Sequence, residues 1–390
     1  MGAHLRDYYC REVLGIEIDF SLLSKRVISA LQQIIELPID ASAGEVEKVS
    51  SDLSIKSWSE IKSSYEGGCI LLGNGSSMTV HDKLSYTSLF DCANKNSLLI
   101  EGVPDLFKKF DTRDFELILR LLWQANFVNT KLDKKSKAID DAYSNVRNAL
   151  IESVNMVHPE YGSISDKFHA IGEFLSKFRV VLSLNYDLII YWSIMDYNNK
   201  NRNSHKGFVD CFKSGAFDYN WLSYKSYYER NTSMVFYPHG NLALCRNIHG
   251  GEVKIKSRSN DPLLDIIVEK WRSGNYSPLF VSESDKESKI NSITSSAYLS
   301  TVYREVISSL GDSVGSDSIV IFGWGFGDQD VHILERLSCS KINKMAISVY
   351  KDNVHDRDRI IGLIKRVFNG RAIRVDFYNS TSEGVWVNGD

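Results

Sequence analysis

Four short apolar runs in this chain each break off on a glycine-rich or amide-bearing turn. Cys69-Ile70-Leu71-Leu72 runs into Gly73-Asn74-Gly75-Ser76-Ser77. Val180-Val181-Leu182-Ser183-Leu184 runs into Asn185-Tyr186-Asp187. Met234-Val235-Phe236-Tyr237-Pro238 ends on His239-Gly240, and Ser318-Ile319-Val320-Ile321-Phe322 on Gly323-Trp324-Gly325-Phe326-Gly327. Runs this short and this uniformly apolar suit strands buried on both faces, as in a parallel sheet. In an open parallel sheet the C-terminal strand ends gather along one edge, where ligands bind. One such turn is common in proteins; four in one chain constrain the fold and point to a site.

The rest of the chain fits that plan. Candidate strands lie at 69–73, 180–184, 234–238, 278–281, 318–322, 345–350 and 373–377. Helices are expected at about 136–156, 187–196, 297–310, 328–338 and 354–368, so strands and helices alternate from residue 180 onward. Residues 1–66 read as a helical N-terminal region, with Leu22, Leu23, Val27, Ile28, Leu31, Ile34 and Ile35 at helical spacing. A second helical stretch, an insertion at about 100–178, carries the stripe Phe115, Leu117, Ile118, Leu121 and Leu122. The expected fold is therefore α/β: a Rossmann-like, mostly parallel sheet over 67–390, flanked by helices, with a helical N-terminal region and a helical insertion. Residues 198–233 break the alternation with a polar loop and the aromatic cluster Phe217, Tyr219, Trp221, Tyr224, Tyr227 and Tyr228, read as packing on the sheet edge rather than a stacking platform. Residues 241–258 suggest a hairpin around Gly250-Gly251.

Composition excludes several function classes. A net charge of −3 over 390 residues makes a strongly basic face for nucleic acid unexpected, although it leaves room for a local patch. The six cysteines, at 10, 69, 92, 211, 245 and 339, form no Cys-x-x-Cys pair, so no zinc ribbon and no metal are expected. Scattered cysteines in apolar runs suit buried thiols in a reducing cytoplasm. No apolar run approaches the ~18 residues of a membrane span, and the N-terminus lacks an apolar signal core.

The turns carry suitable chemistry. Glycines at 73 and 75 let a phosphate approach the backbone, and the N–H groups around Asn74, Ser76 and Ser77 can hold an anion. Asn185 offers a donor and an acceptor, and Asp187 an acceptor. His239, with an ordinary pKa of about 6.5, can act as a base. Each has a structural alternative. Asn185 and Asp187 can cap the following helix, His239 can be a structural hydrogen-bonding group, and Asp328 and Asp330 are expected to cap the helix at 329–338.

As a set, these motifs resemble the sirtuin superfamily, and most closely its bacterial sirtuin-like branch in anti-phage defence. The resemblance spans roughly residues 68–350. Gly73-Asn74-Gly75-Ser76 stands where that family has its Gly-Ala-Gly-x-Ser dinucleotide loop, Leu184-Asn185-Tyr186-Asp187 where it has Gln-Asn-Ile-Asp, and His239-Gly240 where it has His-Gly. Gly323-Trp324-Gly325 lies where it has Gly-x-Ser. The resemblance implies NAD as substrate, bound by Gly73, Asn74, Gly75, Ser76, Ser77, Gly240, Gly323, Trp324 and Gly325. It implies catalytic roles for Asn185 (holding water or the ribose hydroxyls), Asp187 (accepting from the nicotinamide carboxamide) and His239 (base).

The chain also departs from that family. Met78-Thr79-Val80-His81-Asp82-Lys83 replaces the Pro-Asp-Phe-Arg segment of sirtuin deacylases, and the structural zinc module is missing. Both departures count against the acyl-peptide cleft. The expected activity is NAD hydrolysis to nicotinamide and ADP-ribose in a regulated, cytoplasmic, homo-oligomeric defence effector. A partner ATPase or phage-derived trigger is the candidate activator. The alternatives are an NAD-dependent protein deacylase and a non-catalytic NAD- or ADP-ribose-binding sensor or assembly module. No Gly-x-Ser-x-Gly elbow or Walker loop supports an unrelated hydrolase.

Overall fold

The structure, a computed structural model, describes residues 49–84, 89–134, 136–202, 207–224, 232–257, 263–281, 286–312 and 315–388. The helix expected before residue 49, together with Tyr227 and Tyr228, lies outside the described residues. The strands are β1 (Val49–Lys56), β2 (Cys69–Leu72), β3 (Val180–Ser183), β4 (Gly207–Val209), β5 (Phe212–Lys213), β6 (Ala216–Phe217), β7 (Thr232–Phe236), β8 (Gly240–Asn247), β9 (Glu252–Lys254), β10 (Tyr276–Phe280), β11 (Ser318–Phe322), β12 (Lys344–Val349) and β13 (Ile373–Asn379).

Eight of these form one sheet in the order β1-β13-β12-β11-β2-β3-β7-β4. Every neighbouring pair in it is parallel. Its central strands β2, β3 and β11 are buried at every residue. Side chains on both faces therefore leave water, which is why these strands read as apolar runs, broken only by Ser183 and Ser318 at strand ends. The expected Rossmann-like α/β fold is present, with the strands expected at 69–73, 180–184, 234–238, 318–322 and 345–350 in this sheet.

Strand order decides where a site can form. From β2 the chain moves outward through β3 and β7, then returns to the other side of β2 with β11 and continues through β12 and β13. The direction of winding reverses between β2 and β11. In open α/β sheets the loops at such a switch point diverge, and ligands bind there.

Several expectations change. Within the stretch expected to be helical, Val49–Lys56 instead forms β1, which pairs along β13 as the sheet's edge strand, while Trp58–Ile61 and Lys62–Ser64 are helical turns. The strand expected at 278–281 joins a separate five-stranded antiparallel sheet, ordered β10-β8-β9-β6-β5, in which β8 and β9 are the expected hairpin. Within the polar, aromatic stretch, β4 adds to the main sheet; Phe217, Trp221 and Tyr224 are buried and Tyr219 is exposed, so the cluster is packing. The single helix expected at 297–310 is an α-helical turn, Ala297–Thr301, followed by a π turn and a 3-10 turn.

The long crossover from β2 to β3 carries the expected helical insertion. Its helix Phe115–Lys131 starts at Asp114, whose carboxylate accepts the Glu116 N–H at 2.9 Å. The buried face is Phe115, Ile118, Leu119 and Leu122, an i, i+3, i+4, i+7 stripe; Leu117 and Leu121 are only half-buried. This helix meets the antiparallel sheet where Arg246 bonds Glu116 (3.4 Å) and Glu252 (3.1 Å). Cys69, Cys92, Cys211 and Cys245 are buried free thiols, as expected, whereas Cys339 is exposed. No described helix is long and apolar enough to cross a membrane.

Candidate functional site at the sheet switch point

The two glycine loops pack backbone on backbone. Gly73 donates its N–H to the Phe322 carbonyl (3.0 Å) and Gly75 to the Gly323 carbonyl (2.7 Å). A Cβ at 75 would lie 2.8 Å from the Gly323 oxygen, and one at 323 would lie 2.3 Å from the Ser76 nitrogen. Gly323 also has φ +67°, a conformation that glycine adopts without steric cost. From sequence, Gly75 is expected to lie open to a phosphate. Its N–H is instead already bonded and its missing side chain makes room for Gly323. Gly75→Ala is therefore expected to destabilise the protein by about 1–3 kcal/mol through overpacking, read as a lower denaturant midpoint. A wild-type midpoint would show that the loops can separate without cost.

Other elements brace this pair of loops. Trp386, near the C-terminus, donates its Nε1–H to the Ser76 carbonyl (2.9 Å) and packs against Phe174 and Phe322. Arg359 donates to the carbonyls of Gly325 (2.7 Å) and Phe326 (3.2 Å). Trp324 stacks on Phe326 with ring centroids 4.2 Å apart, and its buried Nε1 has no hydrogen-bond partner among the described residues.

The turn after β3 is wired into the first loop. Asn185 Nδ2 donates to the Gly73 carbonyl (3.1 Å), Ser76 Oγ (3.1 Å) and Ser77 Oγ (2.7 Å). Ser77 Oγ donates in turn to Asp187 Oδ2 at 2.5 Å. Asp187 Oδ1 accepts the Ile189 N–H (2.9 Å) and so caps the helix Ile189–Lys200. Of the two residues weighed as caps, Asp187 is one and Asn185 is not. Burial raises the Asp187 pKa above the usual carboxylate value, and its bonds to Ser77 and Ile189 pull it back.

His239 stands where the chain leaves the parallel sheet for the antiparallel one. Gly240 makes that corner possible: its φ is +74°, and a Cβ there would sit 2.2 Å from the Leu279 carbonyl oxygen. The His239 carbonyl accepts the Val281 N–H (2.7 Å). Among the described residues its ring does not join the Asn185–Asp187 network; the two turns are linked by Leu242 N–H to Tyr186 O (2.8 Å) and Asn241 Nδ2 to Asp187 O (3.5 Å). His239 Nε2 lies instead 3.1 Å from His332 Nε2. His332 Nδ1 faces the Gln329 carbonyl (3.2 Å). Asp330, expected to cap its helix, makes no side-chain cap and pairs with Lys289 at 2.6 Å. Burial holds the His239 pKa well below its ordinary value and brings His332 down to about 4.

His239, Asp330 and His332 place three potential ligand atoms within 4.8 Å of one another. Lys289 already supplies a positive charge at that carboxylate. Sequence reasoning passed over His332, Lys289 and Trp386. Asp330-x-His332 next to the fourth strand end was a visible signal for His332; nothing local marked the other two.

Fold and site together define a Rossmann-like α/β protein with two interlocked glycine loops at its switch point and a buried histidine pair beside it. Residues 70–386 match the family described as Domain of unknown function (DUF4917), and the chain belongs to that family. The match runs from β2 to Trp386 and so takes in every site residue named above. No curated protein matches the chain.

Proposed function

We propose that this protein is an NAD glycohydrolase that releases nicotinamide and ADP-ribose. The observation carrying this reading is the switch point. Both loops flanking it are glycine-rich, and the Asn185 amide, on the next strand, is bonded into the first of them. Cleaving the nicotinamide–ribose bond builds positive charge on the ribose, as in glycoside cleavage. The leaving nicotinamide is neutral and needs no strong acid. The protein's task is to hold the dinucleotide, orient a water and take its proton.

Asn185 suits the orienting role. Its Nδ2 is spent on the loop, and its Oδ1 has no hydrogen bond of its own among those described. Asp187, expected to touch the carboxamide, has both oxygens engaged by Ser77 and Ile189, so it acts by positioning Ser77. His239, buried and neutral at pH 7, is the proton acceptor. A role in anti-phage defence, homo-oligomerisation, and release by a partner ATPase or phage-derived trigger belong to the same proposal, because unrestrained NAD loss harms the cell.

One observation favours a second reading, a non-catalytic NAD- or ADP-ribose-binding module: most polar groups of the Asn185–Asp187 turn are satisfied internally. Product analysis separates the readings. Purified protein incubated with NAD is expected to yield nicotinamide and ADP-ribose with no acyl-lysine peptide present. Release only with that peptide would establish the deacylase; binding without release, in every oligomeric form tested, would establish the sensor.

A further inference from the structure

We infer that His332 is a positioning residue that fixes the tautomer of His239, so that Nδ1 of His239, not Nε2, is its proton-accepting nitrogen. The argument follows the chain of hydrogen bonds inward. His332 Nδ1 lies 3.2 Å from the Gln329 carbonyl oxygen. A carbonyl only accepts, so Nδ1 of His332 carries the hydrogen. The ring is neutral, because burial brings its pKa down to about 4, and its Nε2 therefore holds a lone pair. His239 Nε2, 3.1 Å away, must be the donor of that bond. A neutral imidazole has one N–H, which leaves the lone pair of His239 on Nδ1.

The surroundings hold this arrangement. The Tyr303 hydroxyl donates to the His332 carbonyl at 3.2 Å, from the π turn before it. Asp330 lies beside both rings and favours their charged forms, while its 2.6 Å partner Lys289 opposes them. Burial leaves His239 neutral at rest, and Asp330 gives it a carboxylate nearby when a proton arrives.

The proton-transfer step rests on the hydrolase reading; the tautomer does not. In that step water oxygen bonds to the ribose C1′ and the bond from C1′ to the nicotinamide nitrogen breaks, its electron pair leaving with nicotinamide. The water's proton goes to His239 Nδ1 and then to solvent. His239 Nε2–H stays bonded to His332 throughout, so the ring keeps its orientation while its charge changes. The same 3.1 Å separation would suit two ligands on one divalent ion, but such an ion would sit against the Lys289 ammonium.

The test is nitrogen-15 NMR of histidine-labelled full-length protein, with His239→Ala to assign the signals. The expected wild-type spectrum shows His239 with a protonated Nε2 and an unprotonated Nδ1. His332→Ala should mix the two tautomers. His332→Gln, whose side-chain carbonyl can accept from Nε2–H, should restore the single one, and it serves as the reading if the alanine variant does not fold. In turnover, His332→Ala should lower kcat about 10–100-fold with KM unchanged, and His332→Gln should recover most of it. A wild-type His239 protonated on Nδ1, or one tautomer unchanged in His332→Ala, overturns the inference. So does stoichiometric Zn2+ binding to the wild type that His332→Ala abolishes, since the ion would then own both lone pairs. If no NAD is cleaved while the spectra agree, the hydrolase reading fails and the tautomer assignment stands.

Discussion

Replacing His239 with alanine is expected to lower nicotinamide release about 10²–10⁴-fold, the usual contribution of a positioned general base. NAD affinity should change little. Among the described residues the ring's one side-chain hydrogen bond is to His332, whereas the glycine loops and Asn185 are held by bonds that do not involve it. Stability should also survive, because the backbone at 239 is pinned by its carbonyl bond to Val281 and by Gly240, neither of which needs the imidazole. Steady-state turnover, NAD binding by calorimetry and a thermal melt on one preparation separate these effects. A folded, NAD-binding His239→Ala protein with wild-type turnover would remove His239 from the mechanism.

The second large effect is an acid-side loss of stability through His158, which directly follows the helix Lys137–Val157 of the insertion. Its Nδ1 faces the Pro159 carbonyl (2.8 Å), and its Nε2 accepts the Leu188 N–H (3.0 Å). That bond needs a lone pair on Nε2, so the ring must be neutral. Burial, with the neighbouring His81 adding to it, pushes its pKa from 6.5 down to about 4. The folded state thus binds this proton less readily than the unfolded chain. Stability from His158 is fully present above pH 6.5 and falls as the pH drops toward 4, reaching a loss of about 2–3 kcal/mol near pH 4.5. Leu188 follows Asp187 directly, so protonating His158 loosens the turn that carries Asn185 and Asp187. Denaturant melts at pH 7.5 and 4.5, on wild type and His158→Gln, check this. The other buried histidines contribute equally to both proteins, so the difference in pH dependence isolates His158. Parallel pH profiles would count against the buried neutral ring.

Much of this protein follows from sequence alone, and each part that does has a local cause. A strand buried on both faces is mostly apolar, so β2, β3, β7 and β11 stand out as short apolar runs, interrupted only at their ends by Ser183, by Thr232 and Ser233, and by Ser318. The chain must turn where each run ends, and turns select Gly73, Asn185, Gly240 and Gly323. The helix Lys137–Val157 and the hairpin of β8 and β9 were likewise legible, because helical periodicity and the Gly250-Gly251 turn are local signals.

Tertiary structure decided what local signals cannot carry. β1 lies in a stretch read as helix because its place is set by β13, more than 300 residues away. β10 looks like one more strand of the parallel sheet, yet its partner is β8, and the pairing direction depends on where the chain turns. The glycine at 75 is needed for the carbonyl of Gly323, not for an open approach, and only the packing of two distant loops shows that. His332 and Lys289 gain their significance from His239 and Asp330, brought to them by the sheet. Hydrophobic periodicity records which face of an element is buried; which other element lies on that face is a matter of strand order, settled only when the whole sheet has formed.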